Sequence, residues 1–291
     1  MYIGAIEGDG TKFICAIGNE KGEIIKKVSI PTLKPIETLD NVINFFKEDL
    51  RKIDAIGIGL FGPVDININS ENYGCILNSP KKDWTYFNVL NYLNNNLPCE
   101  YYLQTDVNVA CLGEVRFGSS RNYKNVLYIT IGTGIGAGAF LDNKLYNGVL
   151  HPEMGHIILN NPSSFMGICP FHKNCFEGLC SGPAIYKHYG IKGEDIIDES
   201  IWDETGKLVG EALYNYSCIL NPERIIIGGG VSKSKYLLKY VKKYLLEFNN
   251  NYIQNKYLNN IDDYVINASL NDESGILGCI ALVLDKKGIK K

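Results

Sequence analysis

The pattern of strands, helices and glycine turns in this 291-residue chain predicts an α/β fold in two lobes that face a cleft. Three observations lead there. The first sixty residues read β-β-β-α-β. The opening of that order returns after residue 125, with different residues but the same strand, glycine-rich turn and strand. Finally, three glycine-bearing turns, Gly8-Asp9-Gly10, Gly132-Thr133-Gly134 and Gly228-Gly229-Gly230, each adjoin a strand end. Turns of this kind expose backbone N–H groups that can approach phosphates from both lobes. Glycine is needed there because a Cβ would hold the phosphate away.

In chain order, residues 2–6 form the first strand and 13–17 the second, with the turn Glu7-Gly8-Asp9-Gly10-Thr11-Lys12 between them. Asn19, Lys21 and Gly22 supply a hairpin turn before a third strand over 23–30. Pro35 opens a helix whose apolar residues Ile36, Leu39, Val42, Ile43, Phe46 and Leu50 recur at three- and four-residue steps. A buried strand over 53–60 ends at Phe61-Gly62-Pro63, and residues 101–104 form another. The second lobe begins with strands over 126–131 and 135–141, separated by Gly132-Thr133-Gly134 and followed by a hairpin turn at Asn143-Lys144. Helices are predicted over 181–189 and 203–220, a short strand over 224–227, and a helix over 236–248 with an apolar stripe suited to core packing. A strand over 264–268 and a closing helix over 275–284 complete the order. The domain division expected is 1–115 for an N-terminal lobe, completed by a C-terminal helix over 274–291, and 116–273 for the second lobe.

Composition narrows the function classes. With 45% hydrophobic and 21% charged residues, the chain is an ordinary soluble globular protein. A net charge of −3 offers no basic surface for nucleic acid. The longest apolar stretch, 126–141, is broken by Gly132, Gly134, Gly136 and Gly138 and is no membrane span. Residues 1–6 lack the basic and long apolar regions of a signal peptide, so the cytoplasm is the expected location. Nine cysteines form no disulfide framework; Cys15, Cys111, Cys218 and Cys279 read as small buried hydrophobes.

Two segments carry chemistry. His156, Cys169, His172 and Cys175 set two imidazoles and two thiols close together, the last three in a C-x-x-H-x-x-C spacing. Two thiolates and two imidazoles make a neutral tetrahedral site for Zn²⁺, and four protein ligands leave no open position, so such a metal is structural. The opposing reading is a chance meeting of buried Cys with surface His. Glu153 and Glu177 flank the segment, and a metal that shapes the loop would present these acids. Elsewhere, Asp106 follows the strand 101–104 within Thr105-Asp106-Val107-Asn108. A carboxylate there could take a proton from a substrate hydroxyl attacking a γ-phosphoryl group. It could equally be a helix N-cap, and spacing alone favours the cap.

Taken together, these motifs resemble the ROK family of sugar kinases, and within it the fructokinase-like branch. The resemblance runs nearly end to end. It is carried by Glu7-Gly8-Asp9-Gly10-Thr11-Lys12-Phe13, Phe61-Gly62-Pro63-Val64-Asp65, Ser79-Pro80-Lys81 with Trp84, and Thr105-Asp106-Val107-Asn108. Further along it includes Ile131-Gly132-Thr133-Gly134-Ile135-Gly136, His151-Pro152-Glu153-Met154-Gly155-His156, Ser181-Gly182-Pro183-Ala184 and Ile227-Gly228-Gly229-Gly230-Val231-Ser232. The resemblance implies two ribonuclease-H-like lobes, the actin/hexokinase-type ATPase fold, closing on ATP and a sugar. It implies Asp106 as general base and Glu153, His156 and Glu177 facing sugar hydroxyls, with His156 also on zinc. ATP would be held by Thr11, Lys12, Thr133, Gly134, Pro183, Gly228, Gly229, Gly230, Val231 and Ser232, accompanied by Mg²⁺. Two departures matter. Family members usually carry Gly-Gly where this chain has Asp9-Gly10, and an Asp there repels phosphate unless it turns away or helps to hold Mg²⁺. Lys81 stands on the sugar side where glucokinase-like members often carry Asn, which favours fructose.

The expected function is therefore an ATP-dependent hexose kinase converting D-fructose to D-fructose 6-phosphate, working as a cytoplasmic homodimer. A kinase for mannose, glucose or N-acetylmannosamine is the near alternative, since one or two hydroxyl contacts set that choice. A catalytically weak sugar sensor is the alternative from another class. The repressors of the family carry a helix-turn-helix before the kinase-like part, whereas here a strand begins at Tyr2.

Overall fold

The computed structural model describes residues 1–289, so residues 290 and 291, the end of the helix expected over 274–291, lie outside the described residues. The chain divides into two units. One contains Met1–Arg121, Leu145–Pro152 and the chain from Ser269 on; the other contains Asn122–Lys144 and Glu153–Ala268. The expected division at 115/116 missed Leu145–Pro152. That segment joins the first unit, where Asn147 Oδ1 accepts from Asn108 Nδ2 at 3.0 Å.

The first unit is built from β1 (Tyr2–Gly8), β2 (Lys12–Asn19), β3 (Ile24–Pro31), α1 (Pro35–Lys47), β4 (Ala55–Leu60), α2 (Val89–Asn96), β5 (Tyr101–Thr105), α3 (Asp106–Arg116) and a C-terminal helix, Ser274–Lys286. Its strand order is β3-β2-β1-β4-β5. The first three strands form an antiparallel meander, and β4 and β5 run parallel to β1. All of β4 is buried, as expected of a parallel strand covered on both faces. Pro35 sits at the start of α1 as predicted, and Leu39, Val42, Ile43 and Phe46 are buried. Ile36, placed in the same stripe by spacing, is exposed. Leu50 belongs to a separate 3₁₀ turn, Leu50–Lys52, which delays β4 to Ala55.

Backbone contact between α3 and the C-terminal helix is unusually close. A Cβ on Gly278 would stand 1.6 Å from Val109 O, and one on Gly113 would stand 2.2 Å from Ser274 O. Glu114, one residue beyond Gly113, is fully buried. Its carboxylate accepts from Ser269 Oγ at 2.6 Å, Leu270 N at 2.9 Å and Ser274 Oγ at 3.0 Å. An acid with three donors at the start of a helix is satisfied both as a buried charge and as a partner of the helix dipole. Nearly the whole C-terminal helix is buried, Ser274 through Leu284 without a break.

The second unit repeats the plan with β6 (Val126–Ile131), β7 (Ile135–Leu141) and β8 (Lys144–Leu145), the last lying where the chain passes from one unit to the other. Then come α4 (Phe176–Cys180), α5 (Gly182–Tyr189), α6 (Glu199–Leu220), β9 (Arg224–Gly228), α7 (Leu237–Asn249), α8 (Ile261–Tyr264) and β10 (Val265–Asn267). The order β10-β9-β6-β7-β8 matches the first sheet element for element. In each unit the opening strand lies at the centre, its hairpin partner antiparallel and the later strands parallel. Each unit is thus a ribonuclease-H-like lobe. The helix expected from residue 203 begins at Glu199 because Asp198 caps it, accepting from Ser200 N at 2.9 Å and Ser200 Oγ at 2.7 Å. Cys15, Cys111 and Cys279 are buried as expected, but Cys218 is exposed, on the outer face of α6. Among the described residues no helix is long and apolar enough to cross a membrane.

Candidate active site

In the first unit the candidate residues gather where β1, β4 and β5 end. Register pairs Glu7 with Gly59 and Gly59 with Gln104, so Glu7 on β1 and Asp106 after β5 leave parallel strands on either side of β4 at the same end of the sheet. Asp106 is the first residue of α3 and is not its cap. Thr105 takes that role, its side chain accepting from Asn108 N at 3.3 Å, while Asp106 Oδ1 accepts the adjacent Val107 amide at 2.8 Å. The cap reading that spacing favoured is therefore corrected. The threonine hydroxyl satisfies the helix end, and the half-buried aspartate is left at the strand terminus.

Three further side chains of this unit hold buried polar atoms without a partner. Glu7 is crowded by protein, and its Oε2 is buried without a partner. Burial, reinforced by the charges of Asp106 and Asp9 and opposed by Lys12 and Lys27, pushes its carboxyl up to about 7. Asn108 is fully buried and donates through Nδ2 to Gln104 Oε1 and Asn147 Oδ1, yet its Oδ1 has no partner. His151 has a buried, unpartnered Nδ1, and burial lowers its pKa to about 4, so the ring is neutral at physiological pH. Orphaned buried polar atoms are rare and mark places built for another partner. Asn108 and His151 both lie inside motifs that the sequence had flagged.

The turn between β1 and β2 is pinned from outside. Thr32 Oγ1 donates to Asp9 O, and Thr32 N to Thr11 O, both at 2.9 Å. Asp9 turns its carboxylate inward, onto Thr11 and Lys12. Lys81 lies beside the same turn, its Cε 3.5 Å from where a Cβ on Gly10 would stand.

In the second unit the three predicted nucleotide segments converge. Gly182 N donates to Gly132 O at 2.8 Å, which fixes Ser181 and Pro183 beside the turn Gly132-Thr133-Gly134. Gly229, at φ +85°, backs onto Ile131, whose carbonyl oxygen would lie 2.4 Å from a Cβ there, and Ser232 Oγ closes the turn onto Gly229 O at 2.8 Å. Any side chain at Gly229 would have to displace β6 itself. Gly228, Gly230 and Val231 complete the bend that follows β9.

Glu177 links this turn to the His/Cys segment. Its Oε2 accepts the Ile135 amide at 2.9 Å, and a Cβ on Gly134 would stand 2.8 Å from that oxygen. Cys175, two residues earlier, caps α4, its Sγ accepting Gly178 N at 3.4 Å. The ligand atoms of His156, Cys169, His172 and Cys175 all lie within 4.8 Å of one another. Cys175 Sγ is 3.5 Å from His156 Nδ1, and Cys169 Sγ is 3.9 Å from His156 Nδ1 and 3.8 Å from His172 Nδ1. A zinc tetrahedron with ordinary Zn–S and Zn–N bonds has edges of about 3.6 Å. Both sulfurs are buried, and burial pushes the Cys175 thiol up to about 11. Glu153 precedes a 3₁₀ turn, Met154–His156. It is open to solvent, yet surrounding protein raises its pKa, with His156 opposing and Glu177 adding to the rise.

Comparison with known proteins bears on the family and the fold. The sequence pattern of the ROK family matches residues 3–286. A fructokinase of Lactococcus lactis subsp. cremoris is 41% identical over 257 residues, 87% of each chain. A fructokinase of Pediococcus pentosaceus is 38% identical over 285 residues, covering 97% of both proteins. Among solved structures, a ROK family glucokinase from Streptomyces griseus in complex with glucose and AMPPNP superimposes with a TM-score of 0.74. That likeness spans 97% of this chain and 99% of the other at 22% identity, and it establishes the fold.

Proposed function

The chain belongs to the ROK family, and on that premise we propose that it transfers the γ-phosphoryl group of ATP to fructose, giving fructose 6-phosphate and ADP. It is a sugar kinase, a phosphotransferase acting on an alcohol group. The observation that carries the fructose assignment is the near full-length similarity to proteins named as fructokinases.

In this reading Asp106 accepts the proton of the attacking sugar hydroxyl, positioned by the helix it begins and relieved of capping by Thr105. Glu153, His156 and Glu177 face the sugar hydroxyls, and Lys81 supplies a cation between the sugar and the first turn. The amides and hydroxyls of Thr11, Lys12, Thr133 and Gly134 hold phosphate oxygens, while Pro183 and the bend Gly228, Gly229, Gly230, Val231 and Ser232 flank the nucleoside. The kinase reaction needs Mg²⁺, which neutralises charge on the transferred group. The unpartnered Glu7 Oε2 at the end of the sheet shared with Asp106 is an oxygen donor of the type that cation takes. His156, Cys169, His172 and Cys175 fit Zn²⁺ in ligand type and spacing. With four protein ligands the metal would be structural, fixing the loop that carries Glu153 and the start of α4 that carries Glu177.

A coupled ADP-release assay with fructose, mannose, glucose and N-acetylmannosamine tests the substrate. Fructose should give the highest kcat/KM. A larger value for any of the other three overturns the assignment to fructose, and no sugar-dependent ADP release overturns the kinase reading.

A further inference from the structure

The first glycine turn already grips an anion, its own. Asp9 Oδ1 accepts from the Thr11 amide at 2.5 Å, the Thr11 hydroxyl at 2.6 Å and the Lys12 amide at 2.9 Å. Successive main-chain amides with a hydroxyl beside them are the donors by which such a turn holds a phosphate oxygen. A carboxylate oxygen engaged with all three leaves a phosphate two obstacles: the donors are taken, and the occupant carries like charge. The backbone does not call for aspartate at this position, because Asp9 is absent from the residues with positive φ. The turn is also held by hydrogen bonds that do not involve the carboxylate. Asp9 N donates to Lys12 O at 2.9 Å, and Thr32 ties both Asp9 O and Thr11 O.

We propose that Asp9 is an intramolecular competitor for the nucleotide's phosphates. Its carboxylate must rotate off the Thr11 and Lys12 donors before a phosphate oxygen takes them, so the turn binds nucleotide more weakly than the same turn with glycine at position 9. The reasoning is mass action: a site that one intramolecular group fills for most of the time has its apparent affinity cut by that fraction. This rests on the reading of the turn as a phosphate-holding element. It adds that the residue which departs from the family pattern tunes nucleotide affinity.

The test is calorimetric titration of ATP, and separately of inorganic tripolyphosphate, into the full chain and its Asp9→Gly and Asp9→Asn variants, with amide NMR of Thr11 and Lys12. Both ligands should bind Asp9→Gly at least about tenfold more tightly than the parent, a factor equivalent to about 1.4 kcal/mol. Asp9→Asn, which keeps an acceptor but loses the charge, should fall between and serves as the second variant if the glycine form folds poorly. In the parent the two amides should be protected from exchange; in Asp9→Gly they should lose that protection and regain it with tripolyphosphate. Equal or weaker binding to both variants overturns the proposal, and weaker binding would mean that the carboxylate serves the ligand. Tripolyphosphate separates the two readings. A gain on Asp9→Gly without any sugar-dependent ATP turnover would leave the competition standing and remove the kinase. Full kinase activity without a gain would do the reverse.

Discussion

Replacing Glu7 with glutamine should make the first lobe more stable, and only at neutral and alkaline pH. The Glu7 carboxyl is moved from an ordinary 4.5 to about 7, chiefly by burial and then by Asp106 and Asp9. Its raised value means that the folded protein holds a proton which the unfolded chain has already released between those two pH values. Stability therefore falls as pH rises through that window. At about 1.36 kcal/mol per pH unit, the cost approaches about 3 kcal/mol by pH 8, against less than about 1 kcal/mol at pH 5. Glutamine keeps the shape but cannot ionise, and shape matters because a Cβ on Gly275 would fall 2.1 Å from Glu7 Oε1. Trp84 is buried in the first unit, and the only other tryptophan is Trp202. Urea unfolding followed by fluorescence in a Trp202→Phe background therefore reports on this lobe. The Glu7→Gln protein should gain about 2–3 kcal/mol over its parent on going from pH 5 to pH 8. Parallel pH–stability curves for the two proteins would refute the reasoning.

Other outcomes follow from the same geometry. Asp106→Asn should lower kcat by roughly 10²- to 10⁴-fold while fructose binding measured by calorimetry stays near the parent value, as for loss of a general base. Substantial retained turnover would exclude that role. Elemental analysis should find about one zinc per chain, and Cys175→Ser or a strong chelator should remove it and raise the KM for sugar. A metal-free preparation with unchanged kinetics would contradict this. Gly278→Ala should cost about 3 kcal/mol or more, because its methyl would collide with Val109 O and wedge α3 away from the C-terminal helix. A urea midpoint equal to the parent's would show that the two helices adjust freely.

Local patterns told most of the fold. Strand–turn–strand openings at residues 2 and 126, and the stripe in α1, are read from neighbours in sequence, and they stand in the structure with edges moved by a few residues. The His/Cys cluster was legible for the same reason, since three of its members sit within one heptad of chain. What stayed hidden depends on distant partners. Glu114 looks like any helix glutamate until Ser269, Leu270 and Ser274 arrive from the far end of the chain. Thr105 rather than Asp106 caps α3, a choice that rotamers make and spacing does not. The α2 helix escaped notice because only Val89, Leu90 and Leu93 of its eight residues are buried in a run rich in asparagine. Cys218 was misplaced because an apolar neighbourhood in sequence can belong to the outward face of a long helix.

The burial of the Ser274–Lys286 helix against the start of the chain bears on how the protein is made. As the ribosome delivers the polypeptide, the strands β1 to β5 emerge first but lack the piece that seals them until the whole second lobe has been synthesised. The second lobe, encoded between, holds most of its own parts sooner. A frameshift or nick that removes this late helix would leave the earlier-made half with a bare apolar floor, a ready target for chaperones and proteases, however intact the later-made half remained.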